Sequence, residues 1–430
     1  PMATLADQRV VVMGLGTFGG GVGCVSWLLE QGADVTITDL RDEQTLGPSL
    51  SEFEHQRCRL VLGRHTAADF AKADLIIVNP AVPKPWSNPY LKVAEEAGIP
   101  MCTEISLLTD RLDRRCCIGI TGTAGKSTTA AMTHHLLAAA GHDAVLGGNI
   151  GGSLLPRLGD IGADTWVVLE LSSAQLYWLG QGKGWSPSIA GITNIAPNHL
   201  DWHGDMDHYL TCKESIGKAQ TPEDVLIRGE HCDALPADIE LLVPGEHNRI
   251  NAAMAAALAS AATNVSADTL YSFRGLPHRL AAVEEHSSKR FFDDSKSTTP
   301  EATVLAVNSF GDSTRIHLIA GGYDKGVSLA AIAELAPTLA GLYTIGATGG
   351  MLSQSVGPTS TPCGTLDRAV AAAIARMRDG DVLLLSPGCA SWDQFSDYRA
   401  RGEAFAALVA EAVGHGKDPD AALGSTIRRS

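Results

Sequence analysis

Residues 116–129 read Cys116-Cys-Ile-Gly-Ile-Thr-Gly-Thr-Ala-Gly-Lys-Ser-Thr-Thr129. A β-branched run holding Ile118 and Ile120 enters a glycine-rich turn, and the turn opens an apolar helix through Lys126, Ser127 and Thr128. A turn that holds a phosphate must expose backbone N–H groups, so it needs Gly122 and Gly125 where a side chain would crowd the anion. The positive end of the helix dipole then faces the charge. Lys126 can reach the outer phosphates, and Ser127 can hold Mg²⁺. The spacing Gly119-x-x-Gly122-x-x-Gly125-Lys-Ser is offset from the usual phosphate loop, which has glycine where Ile120 stands. The bland alternative is a glycine-rich turn with a solvated lysine. The order strand, turn, lysine, hydroxyls, helix favours the phosphate loop.

Outward from this loop, strand-like runs at 9–14, 34–38, 74–78, 115–120, 166–171, 189–195, 315–320 and 381–385 alternate with helical patterns at 126–140, 248–262, 366–377 and 399–413. That order predicts an α/β protein with mostly parallel sheets. At 430 residues the chain is too long for one ordinary core, and roughly two to four domains are expected. Three sheets fit the length best. The reading is a Rossmann-like domain over 1–112, a central P-loop mononucleotide-binding α/β domain over 113–277, and a Rossmann-like C-terminal domain over 278–430. A formal net charge of −15 argues against a nucleic-acid partner, since a phosphate backbone attracts clustered Lys and Arg. The nine cysteines show no CxxC pair, which suits a reducing cytoplasm. No apolar run approaches the ~20 residues a membrane span needs, and no signal peptide is apparent. A monomer is the expectation.

Near the start, Val10-Val-Val-Met-Gly14-Leu-Gly16-Thr-Phe-Gly19 is a strand followed by GxGxxG, and Asp39 stands twenty residues after Gly19. Alone, this is a dinucleotide fingerprint, and it supports a rival reading, an NAD-dependent oxidoreductase. The same βαβ unit can hold any diphosphate nucleotide. Two nucleotide sites on one chain suit an enzyme that joins a nucleotide-tagged substrate to a second one at the expense of ATP.

After the phosphate loop come Gly147-Gly-Asn149, then Val167-Val-Leu-Glu170-Leu-Ser-Ser173, then Asn198-His199-Leu-Asp201-Trp-His203, then Tyr209-Leu-Thr-Cys-Lys213. Glu170 ends a buried apolar strand, where a lone carboxylate is costly unless it binds a cation. Ligands in such sheets also bind at the carboxyl ends of the strands. His199 and His203 are four apart and could share a helical face. Either could equally be a hydrogen-bonded loop histidine. Lys213 could be an ordinary solvated helix lysine.

With these segments in this order, the chain resembles the Mur ligase superfamily of ATP-dependent amide ligases. The resemblance continues through Gly245-Glu-His-Asn248-Arg-Ile-Asn251, Pro277-His-Arg279, Asp294-Ser-Lys296-Ser-Thr298, Gly321-Gly-Tyr-Asp-Lys325 and Ser386-Pro-Gly-Cys-Ala-Ser391. The offset glycine spacing is that superfamily's own form of the loop. Its Asp294-Ser-Lys296 and Ser386–Ser391 segments look like those of the members that add D-glutamate to UDP-N-acetylmuramoyl-L-alanine in peptidoglycan precursor synthesis.

The resemblance implies a set of roles. Gly122, Thr123, Ala124, Gly125, Lys126, Ser127 and Thr128 would cradle the ATP phosphates. Asn248 and Asn251 would flank the adenosine, with Arg279 and Asp294 at the ATP end of the third domain. Ser127, Glu170, His199 and Lys213 would serve two Mg²⁺ ions, Lys213 after taking up CO₂ as a carbamate. That step needs a neutral amine. Lys126, Glu170, His199 and Lys213 would carry the catalysis. Gly16, Thr17 and Phe18, with Asp39 and Arg41, would hold the uridine diphosphate, Asn79 the uracil, and Asn149 and Ser172 the sugar peptide. Lys296, Thr298, Lys325, Ser391 and Tyr398 would shape the amino-acid pocket, where two lysines and hydroxyl donors suit two carboxylates. Ala124, Thr299, Tyr323 and Tyr398 depart from the family pattern. Most of these lie at the amino-acid pocket, so the same chemistry with L-glutamate or another acidic amino acid stays open.

Overall fold

The computed structural model describes residues 5–16, 19–53, 58–284 and 288–414. Three sheets form among them. The first is β1 (Arg9–Met13), β2 (Asp34–Asp39), β3 (Arg59–Leu62), β4 (Leu75–Val78) and β5 (Met101–Cys102), in the order β3-β2-β1-β4-β5. The second is β6 (Cys117–Thr121), β7 (Ala144–Gly148), β8 (Trp166–Glu170), β9 (Ile189–Ile192) and β10 (Val225–Arg228), in the order β10-β9-β6-β8-β7. The third is β11 (Ala281–Glu284), β12 (Arg290–Asp293), β13 (Ile316–Gly321), β14 (Gly341–Ile345), β15 (Ser360–Gly364) and β16 (Val382–Leu385), in the order β11-β12-β16-β13-β14-β15. Every recorded pairing is parallel except β11 with β12.

All eight expected strands are present. Those the pattern missed are mostly short or at edges. β3 and β10 are edge strands with exposed ends, β5 has two residues, β7 ends in Gly147-Gly148, and β15 contains Pro362. Apolar-in, polar-out alternation is weak in β3, β5, β10 and β15. The exceptions are β12 and β14, which are interior, and the Phe291-Phe292 pair was a usable signal for β12.

The chain divides into two compact units. One holds the first two sheets with Arg249–Leu270, and the other holds the third sheet with Glu240–Asn248. Within the first unit, one apolar core runs through both sheets, joining Val10, Ile37 and Ile105 to Val167, Leu171 and Leu176, and a second packs Val11, Met13 and Ile76 against Phe70 and Leu91. Each sheet of that unit has β1 or β6 at its centre, flanked by strands that arrive from opposite sides. The crossover loops part at the carboxyl end of the central strand and leave a crevice there. In the second unit, the period-two pleat sends Phe292, Leu318 and Leu384 to one face and Phe291, Ile319 and Leu383 to the other. Helices cover both faces, and Phe405 and Val409 of the helix Tyr398–Gly414 seal the second.

Candidate active site

The loop after β6 turns through Gly122 (φ 144°) and Gly125 (φ 81°) into the helix Lys126–Ala139. Both glycines are required by contact as well as by φ. A Cβ on Gly122 would overlap Thr193 Oγ1, and one on Gly125 would overlap Asn251 Oδ1. Lys126 Nζ donates to Thr123 O at 3.0 Å. The loop after β9 braces this turn. Thr123 N–H donates to Asn194 O (2.8 Å), and Ala124 N–H donates to Asn194 Oδ1 (3.0 Å). Thr193 Oγ1 and Asn194 Nδ2 both donate to Ala124 O, at 2.6 and 3.0 Å. Asn194 had no sequence signal, because its role depends on strand order. Two of the amides a phosphate would use here are engaged by Asn194, which an anion must replace as acceptor.

Beside this loop, the parallel register sets Ile120 against Glu170 at the end of β8. The Glu170 side chain is 3% exposed. Its Oε1 accepts from Asn149 Nδ2 at 3.0 Å. Its Oε2 is buried with no hydrogen-bond partner among the described residues. A bare buried carboxylate oxygen costs free energy unless a cation takes it, so the donor set fits a hard divalent ion such as Mg²⁺.

Lys213 reaches the same loop from the helix Met206–Glu214 and is 2% exposed. Its Nζ donates to Gly122 O at 2.7 Å and to Thr121 Oγ1 at 3.4 Å, and lies 4.8 Å from the centre of the Tyr209 ring. Burial, helped by the charge of Lys126, pulls the amine down to about 7. Lys218, five residues on in the same segment, is exposed and bonded to Gly180 O.

His199 and His203 do not share a face. His199 precedes the helix Leu200–His203 in a left-handed conformation (φ 52°) and is exposed. His203 turns inward to Ser173 and His208. The four-residue rule applies only where both residues are helical.

His199 lines a cleft with Gly16, Asn79, Asn149 and Ser172, so the glycine turn of the first sheet and the segments that follow β7 and β8 open into one space. Asn79 fixes the crevice of the first sheet. It donates through Nδ2 to Gly14 O (3.0 Å) and accepts through Oδ1 from Ala81 N–H (2.9 Å). Ser172 caps the helix Ser173–Leu179. Asp39 sits behind the turn and accepts from Leu15 N–H and from the Arg41 guanidinium and N–H. Burial pushes its carboxyl up, but the Arg41 bonds outweigh that and hold it below the usual range. Its carboxylate supports the loop and Arg41. Thr17 and Phe18 lie outside the described residues.

Glu104 also faces this cleft, a position that pattern alone did not reveal. It opens the helix Glu104–Thr109 under a Thr103 cap and bonds Ser153 Oγ at 2.5 Å. Burial raises its carboxyl to about 7 against the opposing Ser153 bond. A folded-state pKa above that of the unfolded chain contributes stability that is whole below about 4.5 and is lost as pH rises through about 7. Glu104→Gln should therefore unfold later than wild type above that window, by about 3 kcal/mol, with no gain at the acid end. Thermal midpoints at both ends check this. Parallel pH profiles for the two proteins would refute it.

In the second unit, the chain from Gly275 (φ 99°) to Leu280 (φ 45°) makes a tight turn with an isolated Leu276–Arg279 bridge, and it leaves Arg279 exposed. Asp294 is buried. Its Oδ1 accepts from Leu280 N–H and its Oδ2 from Ser386 Oγ, at 3.2 and 2.7 Å, and burial raises its carboxyl to about 6. Asp294 thus holds the Arg279 turn. Lys296 is exposed over Tyr398 (5.5 Å), and Lys325 is exposed over Trp392 (5.0 Å). Ser391 is buried and Thr298 half-buried. Arg401 was missed by the sequence reading. Fully buried, it donates to Ser295 Oγ, Ser295 O and Cys389 O at 2.8–3.1 Å, tying the Lys296 loop to the Ser391 loop. Asn248 Nδ2 bonds Pro244 O at 2.6 Å, and Asn251 accepts from Thr129 in the first unit.

A glycine turn of phosphate-loop form stands beside a buried carboxylate with one unbonded oxygen, and the segment after β8 shares a cleft with the glycine turn of the first sheet, an arrangement that suits a nucleotide-dependent ligase. Residues 8–103 match the Mur ligase MurD-like N-terminal domain, and residues 120–236 match the Mur ligase middle domain. A UDP-N-acetylmuramoylalanine–D-glutamate ligase of Roseiflexus sp. (strain RS-1) is 36% identical, over 94% of this chain and 99% of its own. Its namesake in Trichlorobacter lovleyi is 34% identical, over 94% and 99%. The solved UDP-N-acetylmuramate–alanine ligase of Thermotoga maritima shares the fold, with a TM-score of 0.55 at 19% identity over 94% of this chain and 100% of that one. The chain belongs to the Mur ligase family. It is an ATP-dependent amide ligase by that membership, and the oxidoreductase reading is set aside.

Proposed function

We propose that this ligase adds D-glutamate to UDP-N-acetylmuramoyl-L-alanine in peptidoglycan precursor synthesis. The observation that carries the reading is the likeness to D-glutamate ligases over nearly the whole chain, and the bare Glu170 Oε2 beside the Gly122–Ser127 loop supports its ATP chemistry. The γ-phosphoryl group of ATP passes to the terminal carboxylate of the sugar peptide, and ADP leaves. The amine nitrogen of glutamate adds to the acyl carbon. The acyl C–O bond then breaks, inorganic phosphate departs, and the nitrogen loses its proton.

Lys126 and the loop amides hold the phosphates, while Glu170, His199, Ser127 and Lys213 are the residues that would hold two Mg²⁺ ions. Bound there, the metals would neutralise the repulsion between carboxylate and triphosphate. Lys213 is suited to carbamate formation. Its neutral amine adds to CO₂ and sheds a proton, and the remaining N–H can still donate to Gly122 O. Asn79, Asn149 and the Gly14–Gly16 turn hold the UDP-sugar. Lys296, Thr298, Lys325, Ser391 and Tyr398 receive the acidic amino acid, with Arg401 fixing the two loops that carry them. Asn248, Asn251, Arg279 and Asp294 serve the nucleotide. The domains follow 1–112, 113–277 and 278–430. No helix among the described residues is long and apolar enough to cross a membrane. We take the enzyme to act as a monomer in the cytoplasm, where ATP and UDP-linked sugars are made.

Incubation with ATP, Mg²⁺, the UDP-sugar alanine and either enantiomer of glutamate tests the reading. Phosphate release with a D-glutamate adduct is expected. An adduct only with L-glutamate would keep the mechanism and change the product, and no adduct with either would overturn the acceptor.

A further inference from the structure

The turn between His199 and Lys213 carries a second cluster of metal-ligating groups. Asp205 caps the helix Met206–Glu214, which presents His208 and Cys212 on one face at i, i+4 spacing. Gly204 (φ 88°) reverses the chain so that His203 faces them. His203 Nδ1 and His208 Nδ1 are 3.0 Å apart, and Cys212 Sγ is 3.8 Å from His208 Nε2 and 4.0 Å from its Nδ1. One ligand atom from each residue falls within 4.8 Å of the others. Tetrahedral Zn²⁺ with bonds of about 2.0–2.3 Å sets such atoms roughly 3.3–3.6 Å apart, so small side-chain rotations close the site.

Two further observations point at a ligand. His203 Nδ1 and His208 Nδ1 share a hydrogen bond, so two ring nitrogens converge on one space. His203 Nε2 lies 2.8 Å from Ser173 Oγ, a buried hydroxyl. With that hydroxyl as acceptor, the ring proton sits on Nε2 and His203 Nδ1 accepts from His208 Nδ1–H, a bond that an ion replaces once the His208 proton moves to its own Nε2; a donated Nε2 proton is the usual support for a ligating imidazole.

We propose that His203, His208 and Cys212 form a site for a borderline-soft divalent ion of the Zn²⁺ class, separate from the hard Mg²⁺ donors at Glu170. Imidazole and thiolate select such ions over Mg²⁺. Cys212 gives up its thiol proton on binding. His208 is the half-buried member and gives the ion its entry. Occupation would staple the short helix that follows His199 to the helix that carries Lys213.

Co²⁺ is the probe. Added to the full chain in excess Mg²⁺, one equivalent should give a thiolate-to-cobalt absorption band and quench tryptophan fluorescence, because Trp86 and Trp202 lie 4.6 and 4.5 Å from the histidine rings. Cys212→Ser should abolish the band with the circular dichroism unchanged. Ser173→Ala should weaken binding roughly 10- to 100-fold. X-ray absorption of the wild-type cobalt protein should show one sulfur and two imidazoles, a result that does not depend on any variant folding. A band that survives Cys212→Ser, or an all-oxygen shell, would overturn the site.

Discussion

Lys213→Ala is expected to lose ligase turnover by roughly 10²-fold or more and to regain a measurable part of it when a short carboxylic acid is added. The side chain is buried against Gly122 O and Thr121 Oγ1, so its removal leaves a hole beside the phosphate loop that a small carboxylate fills. A lysine acting only as a cation would be rescued by amines and not by acids, and that outcome would remove the carbamate. The pH dependence follows the same group. CO₂ adds only to the neutral amine, so wild-type activity should fall as pH drops through about 7. The amine's pKa is lowered on folding from 10.5. The unfolded chain therefore binds the extra proton between about 7 and 10.5, and wild-type stability rises with pH across that window. The variant should lack this rise, which thermal unfolding at the two ends would read.

Lys126→Ala should lower kcat/KM for phosphate release by roughly 10²–10³-fold with little change in unfolding temperature. The side chain is only half-buried, and its Nζ bonds a carbonyl of its own loop, Thr123 O. Its work is on developing charge at the phosphates, which is worth most in a dry site. ATP should also bind more weakly. Turnover within roughly tenfold of wild type, or about 1.4 kcal/mol, would sink the phosphate-loop assignment.

The loop was legible in the sequence because its information is local. Glycines at fixed offsets, a lysine and two hydroxyls specify one turn whatever surrounds it. Glu170 was legible for a similar reason, as an acid ending an apolar strand. Residues whose meaning comes from strand order were not. Asn194 and Arg401 act only through segments that are distant in sequence, and nothing adjacent to Glu104 tells that Ser153 will meet it. Asp39 ends β2, as the spacing indicated, but the Leu15 N–H and Arg41 bonds that occupy it needed coordinates. The His199–His203 pairing failed because a helix was assumed one residue too early. Lys213 and Lys218 look alike as letters and differ wholly in burial.

The left-handed backbone at His199 sets stability and chemistry at odds. Glycine or asparagine would begin the following helix more comfortably, by about 1 kcal/mol. Selection for a sturdier fold alone would drift toward those residues, while any use of the imidazole holds the histidine in place. A descendant of this chain that had given up catalysis and kept its fold should betray the loss here first, with glycine or asparagine where His199 now stands.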